Sequence, residues 1–139
     1  MFKHMLVGFD GSDSSKRAFD KALGLAAECD ARVNALTVVR APEAAELEGE
    51  VDAALRDSDG PLAKAIGWGK ERAKQMRVTC TFQKRIGHPA DLITRVAADG
   101  KYDLIVIGRR GHSPVKHWLV GSTTDRIVDY APCAVLIVH

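Results

Sequence analysis

The chain has 139 residues, 46% hydrophobic and 27% charged, with 12 glycines and 5 prolines; this length and composition predict a single domain over residues 1–139 and exclude disorder, collagen-like repeats and disulfide-stapled mini-proteins. The formal net charge of +2 is too small to argue for nucleic acid or an anionic membrane. Its distribution is uneven: residues 1–70 hold 9 Lys/Arg against 12 Asp/Glu, and residues 71–139 hold 11 against 6.

Met5 to Phe9 is an apolar run closed by Asp10-Gly11-Ser12-Asp13-Ser14, a turn cluster rich in helix-capping residues, so strand, turn and helix are predicted in that order. The helix carries Ala18, Phe19, Ala22, Leu23 and Ala26 at three- and four-residue spacing. Arg32 to Val39 is a second strand. Residues 41–59 then hold seven acids against the single base Arg56, and the acidic segment 41–60 is expected to be solvated and mobile. A helix follows from about Leu62 to Met76, and a strand from Val78 to Ile86. Gly87-His88-Pro89 opens a third helix, with Pro89 in the first turn, Leu92, Ile93, Val96 and Ala97 on its core face and Gly100 as its stop. Leu104 to Ile107 is a continuous apolar run between Asp103 and Gly108, the pattern of a strand buried on both faces. Ser122 is predicted to cap a short helix carrying Ile127 and Val128, and Ala134 to Val138 is the last strand.

Five strands alternating with four helical segments imply α/β architecture: a doubly wound, open, five-stranded parallel sheet with helices on both faces. In such sheets ligands bind beyond the carboxyl ends of the strands, where strand order reverses.

The termini carry no apolar stretch approaching the roughly 20 residues a membrane helix needs, and Asp10 interrupts the first apolar run before a signal-peptide core forms. A soluble cytoplasmic protein without a membrane span is expected. Cys29, Cys80 and Cys133 are odd in number and form no CxxC, which suits reduced thiols acting as small hydrophobes.

The most informative segment is Gly108-Arg109-Arg110-Gly111, nine residues, then Gly121-Ser122-Thr123-Thr124. So long an irregular connection in a compact domain points to function. Gly108, lacking a Cβ, would let a ligand lie against the backbone at a strand end; Gly111 would turn the chain and direct its N–H inward. Gly121-Ser122 at a helix N-terminus would offer N–H groups and a hydroxyl to phosphate.

This Gly-x-x-Gly, nine-residue, Gly-Ser pattern resembles the nucleotide loop of the universal stress protein family, in its ATP-binding branch. The resemblance spans the chain through Val7-Gly8-Phe9-Asp10-Gly11-Ser12, Leu36-Thr37-Val38-Val39, Gly87-His88-Pro89 and Pro132-Cys133-Ala134-Val135-Leu136-Ile137-Val138. It implies an adenine-nucleotide α-hydrolase-like, Rossmann-like sheet of order 3-2-1-4-5 with ATP, alone or with Mg, as ligand. Asp10 would bind the ribose hydroxyls, Val38 would pack on adenine, and the Ile107 backbone would read the adenine edge. Gly108 and Gly111 would line ribose and phosphates, while Gly121, Ser122 and Thr123 would hold the phosphate tail. Arg109 and Arg110 occupy variable positions of the motif and inherit no role. The resemblance also implies a homodimer through the edge strand Ala134 to Val138; a protein partner is expected but not identified.

Other readings of these residues are weaker. Asp10 could merely cap the first helix or order its turn. A haloacid-dehalogenase-like phosphoacceptor wants Asp-x-Asp, but Ser12 occupies the second position, and no Walker A pattern occurs. Gly67-Trp68-Gly69 lacks the third glycine of a dinucleotide fingerprint and falls within a helix. His112 and His117 make a poor zinc pair, and His88 is expected to order its turn. Lys84-Arg85, Arg109-Arg110 and Lys116 come without an aromatic stacking platform, so serving a bound triphosphate or water explains them better than nucleic acid. The loop offers no general base, and Asp125 and Asp129 are expected to face solvent, so slow or negligible ATP hydrolysis and no catalytic or metal-ligating residues are predicted. The sequence therefore describes a nucleotide-responsive regulatory protein. Its rivals are a nucleotide-free scaffold of the same fold and a small ATP-dependent enzyme of the adenine-nucleotide α-hydrolase group, the latter disfavoured by the absence of a substrate domain.

Overall fold

Alternating apolar strands and amphipathic helices produce the order β1 (His4–Gly8), α1 (Asp13–Cys29), β2 (Arg32–Val39), α2 (Pro61–Gln75), β3 (Cys80–Ile86), α3 (Pro89–Asp99), β4 (Leu104–Gly108), α4 (His117–Tyr130) and β5 (Ala134–Val138). This computed structural model describes residues 1–40, 60–109 and 117–139, with residues 117–122 described by backbone alone. The acidic segment 41–59 and Gly111 therefore lie outside the described residues. The strands form one sheet of order β3-β2-β1-β4-β5, and every pairing is parallel. The doubly wound architecture and the 3-2-1-4-5 order follow the expectation.

Side chains alternate across each strand, so each face of the sheet has its own core. On one face α1 and α2 bury Met5, Val7, Val33 and Val106 together with Phe9, Phe19 and Leu23. Phe9, Phe19 and Phe82 pack with ring centroids 5.5–5.8 Å apart, a spacing at which tilted and edge-on rings attract. On the other face α3 and α4 bury Leu6, Leu36, Ile105 and Ile107 with Ile93, Val96 and Ile127. Each such aliphatic side chain contributes about 1.5–3 kcal/mol on burial, which makes these two layers the main source of stability.

The helix ends depart from the sequence reading in an instructive way. After α3 the left-handed residue is Lys101, with φ of 55°, whereas Gly100 keeps a right-handed conformation. Lys101 N–H bonds Ala98 O and Tyr102 N–H bonds Ala97 O, the paired bonds of a Schellman ending. The same device ends α2, with Arg77 left-handed at φ of 55° and bonds from Arg77 N–H to Lys74 O and Val78 N–H to Ala73 O. That closure consumes Val78, so β3 begins at Cys80 instead of Val78. Asp30 at φ of 56° closes α1, and the Asp30 and Ala31 N–H groups both bond Ala26 O. Gly100 is small for another reason: a Cβ there would run into the Tyr102 ring.

α4 also differs. It starts at His117, five residues before Ser122, so Ser122 lies in its second turn and is not its N-cap. His117-Trp118-Leu119-Val120 contains no glycine or proline to stop the helix from extending backwards.

Candidate functional site

The β1–β4 ladder is the shortest in the sheet, at the point where the strand order reverses. The β1–β4 register ends at Val7 opposite Val106, but β4 stays paired with β5 as far as Gly108 opposite Val138. β1 leans the other way: Phe9 N–H bonds Leu36 O at 2.9 Å, and the buried Thr37 hydroxyl donates to Phe9 O at 2.6 Å. Beyond Val7 and Val106 the β1–β4 pairing therefore stops, which marks where the crevice of a doubly wound sheet is expected, although Gly8 still packs against the Ile107 side chain.

Asp10 stands on the β1 lip, half-buried. Its Oδ1 accepts from Ser12 N–H at 2.9 Å, and its own N–H donates to the Ser15 hydroxyl at 3.3 Å. The helix cap is Ser12, whose Oγ accepts from Ser15 N–H at 3.2 Å. Asp10 thus orders the turn without capping α1. Among the described residues no donor meets its second oxygen, Oδ2, which leaves an acceptor at the mouth of the crevice. Gly11 makes this turn possible, because it is left-handed at φ of 84° and a Cβ would come within 3.3 Å of Ala65 on α2. Ser12 and Ser15, three apart behind Asp10-Gly11, were the signal in the sequence for this hydrogen-bonded turn; the contact with Ala65 had none.

On the β4 lip, Ile107 sends its side chain into the α3/α4 core and is 6% exposed. Its backbone lies beyond the end of the β1–β4 ladder, as an edge-reading role would require. Gly108 follows, and its missing Cβ has a structural cause: the place it would fill is taken by Ser14 in the first turn of α1, with the Ser14 carbonyl oxygen 2.7 Å away. Packing against α1 is thus a sufficient reason for glycine at this position. Arg109 N–H bonds Val138 O at 3.0 Å, and its guanidinium lies 3.1 Å from Nδ1 of His139.

Val38 is half-buried at the carboxyl end of β2, packed on the α3/α4 face. Asp10, Val38, Ile107 and Gly108 are therefore gathered at one end of the sheet. Gly121, Ser122 and Thr123 lie in the second turn of α4, where the helix itself uses backbone N–H groups that a phosphate would need. Asp125 and Asp129 are exposed on α4, as expected. His88 precedes α3 but makes no side-chain cap bond; its carbonyl accepts from Leu92 N–H instead.

The basic pair Lys84-Arg85 lies on β3, the sheet edge beyond β2, with Arg85 opposite Val38 in the ladder. The cysteines are free, and burial pushes the Cys80 thiol up to about 12. Burial, with the Asp103 charge, also raises Cys133. Both therefore stay protonated and unreactive at neutral pH.

The profile of the Universal stress protein family matches residues 1–139. The chain belongs to the universal stress protein family. Universal stress protein YxiE of Bacillus subtilis is 33% identical, with the whole of both chains covered. UspA from Lactobacillus plantarum is 28% identical with a TM-score of 0.80, covering 99% of this chain and 98% of that one. A universal stress protein solved in complex with cAMP is 30% identical with a TM-score of 0.77, covering 99% and 97%. The fold of the family is thus reproduced end to end, and no described helix is long and apolar enough to cross a membrane.

Proposed function

We propose that this universal stress protein binds an adenine nucleotide, ATP alone or with Mg, in the crevice between β1 and β4, and works in the cytoplasm as a nucleotide-responsive regulator with slow or no hydrolysis. The observation that carries the reading is the end of the β1–β4 ladder at Val7 and Val106 with Asp10 beside it, its Oδ2 meeting no donor among the described residues. Asp10 would accept from ribose hydroxyls, Val38 would pack on the base, and the Ile107 backbone would meet the adenine edge. Gly108 and Gly111 would border the ribose and phosphates, and the Ser122 and Thr123 hydroxyls beside Gly121, with their backbone N–H groups engaged in α4, would meet the phosphate tail. ATP would supply a charged phosphate chain whose presence or loss changes the surface offered to a partner. The cAMP complex of a 30% identical relative supports the adenine class.

Calorimetric titration with ATP, ADP, AMP, cAMP and GTP tests this. ATP is expected to bind more tightly than GTP, and Asp10→Ala to weaken ATP about tenfold, the cost of a hydrogen bond to a charged acceptor, with the circular dichroism of the fold unchanged. Equal affinity for ATP and GTP overturns the adenine reading; unchanged affinity in Asp10→Ala overturns the site.

We also propose a homodimer through β5. Val135, Leu136 and Ile137 are only half-buried, and Val128 and Tyr130 on the preceding helix are 51% and 71% exposed; pairing would cover an apolar edge. Light scattering at micromolar concentration should report twice the chain mass, and a monomer would refute it.

A further inference from the structure

The opposite edge of the sheet, β3, has a different character. In a parallel ladder alternate residues turn their backbone groups towards the neighbouring strand. Val33 N–H bonds Thr79 O and Gly87 N–H bonds Val39 O, so Thr81, Gln83 and Arg85 face β2 with their backbone groups. Those of Cys80, Phe82, Lys84 and Ile86 face outward, and no described residue pairs with them.

Lysines border this open edge. Lys70 and Lys74 are exposed and four apart on the flank of α2 nearest β3. Gly69 and Ala73, one residue before each, face inward: a Cβ at Gly69 would strike the Phe82 ring at 2.7 Å, and Ala73 is 4% exposed. Arg72, by contrast, turns to the other flank and pairs with Asp20 of α1 at 3.0 Å. Between Lys70, Lys74 and the strand runs a shallow groove of about 440 Å³, floored by Val78, Cys80 and Phe82. Lys84 projects on the same face as Cys80 and Phe82, and Arg85 on the other. The one acid on this part of α2, Glu71, falls on the outer side of the helix by its phase.

We propose that the β3 edge and this groove form a docking surface for an extended acidic peptide segment of a protein partner, added as a sixth strand. The outward N–H and C=O groups would supply the main-chain pairing, and Lys70, Lys74 and Lys84, which lie on one face, would select carboxylates at alternate positions. A second copy of this edge is disfavoured, since like charges would meet. Nucleic acid is a poorer fit, because Phe82 is occupied in the core with Phe9 and Phe19 and offers no base a platform. The surface is separate from the β1–β4 crevice and stands or falls independently of the nucleotide reading.

The test titrates the full chain with a fluorescein-labelled eight-residue peptide of alternating glutamate and valine. Binding is expected with amide shifts in NMR spectra centred on Cys80, Phe82, Lys84 and Ile86. The double variant Lys70→Glu, Lys74→Glu should weaken it about tenfold, as should raising salt to about 1 M, and Lys84→Ala by a smaller factor; each variant must keep the parent's circular dichroism. A version of the peptide N-methylated at alternate residues should fail to bind. No binding at millimolar peptide, equal binding of the N-methylated peptide, or tighter binding of an oligothymidine of equal charge to the same residues would each overturn the proposal.

Discussion

At the amino end of the sheet, α1, α2 and α3 finish in left-handed closures carried by Asp30, Arg77 and Lys101, and Asp103 ties the chain start by accepting from Lys3 N–H at 2.7 Å and His4 N–H at 3.2 Å. At the carboxyl end the chain relies on Gly11, left-handed at φ of 84°, and on Gly108, where α1 approaches so closely that a Cβ would collide, and one Asp10 oxygen meets no donor among the described residues. The amino end thus satisfies its backbone with ordinary residues at a modest conformational cost. The carboxyl end depends on glycine and holds polar capacity in reserve. Stability is spent where a ligand is expected, and recovered where none is.

Substitutions should separate the two ends. Gly108→Ala drives a methyl into the Ser14 carbonyl and is expected to cost about 3 kcal/mol in urea unfolding; a loss below about 1 kcal/mol would mean that α1 yields easily there. Gly11→Ala should cost about 1–2 kcal/mol, from the positive φ alone, and retention of full stability would show that the turn can relax. Asp103→Ala removes two carboxylate bonds to backbone N–H groups and should cost about 1 kcal/mol, with faster amide exchange at Lys3 and His4. Lys101→Gly should reverse the sign, adding about 0.5 kcal/mol by relieving a left-handed residue, less what glycine gives the unfolded chain. No gain in melting temperature would show that the lysine is unstrained.

The smallest effect is titration at the amino end. His4 stacks on Tyr102 with centroids 3.8 Å apart, and burial, then the Arg32 charge, lowers its pKa below the ordinary 6.5 despite Asp103. Protonation is therefore disfavoured in the folded chain. The contribution is intact above pH 6.5 and is lost as pH falls through the lowered folded value. A shallow decline in stability on acidification, absent in His4→Phe, is the expected result.

Much of this was legible in the sequence because it rests on periodicity. Leu104 to Ile107 could hardly be anything but a central strand, and β2 and β5 have the limits their residues announce. Asp10-Gly11-Ser12 declared its turn by residue type. What escaped depended on contacts between distant segments. Nothing near Lys101 or Arg77 signals a left-handed residue, since those closures are imposed by the return of the chain to the sheet. Asn34, 9% exposed, sits in a strand that reads as apolar, and its amide donates to the Tyr102 hydroxyl at 2.6 Å from 68 positions away. The start of α4 at His117, ahead of Ser122, is not legible either, because a Gly-Ser pair has the residue types of a cap whether or not a helix already runs through it.

The contact between Gly108 and Ser14 has a bearing on how the protein would be dissected. A mutational scan scored on nucleotide retention would flag position 108 beside Asp10, and both would be entered as ligand contacts. Their causes differ: one variant would lose the ligand because the strand no longer seats against α1, the other because an acceptor is gone. Scoring each variant by the rise in melting temperature on adding ATP, beside its unliganded melting temperature, distinguishes a damaged frame from a missing hand.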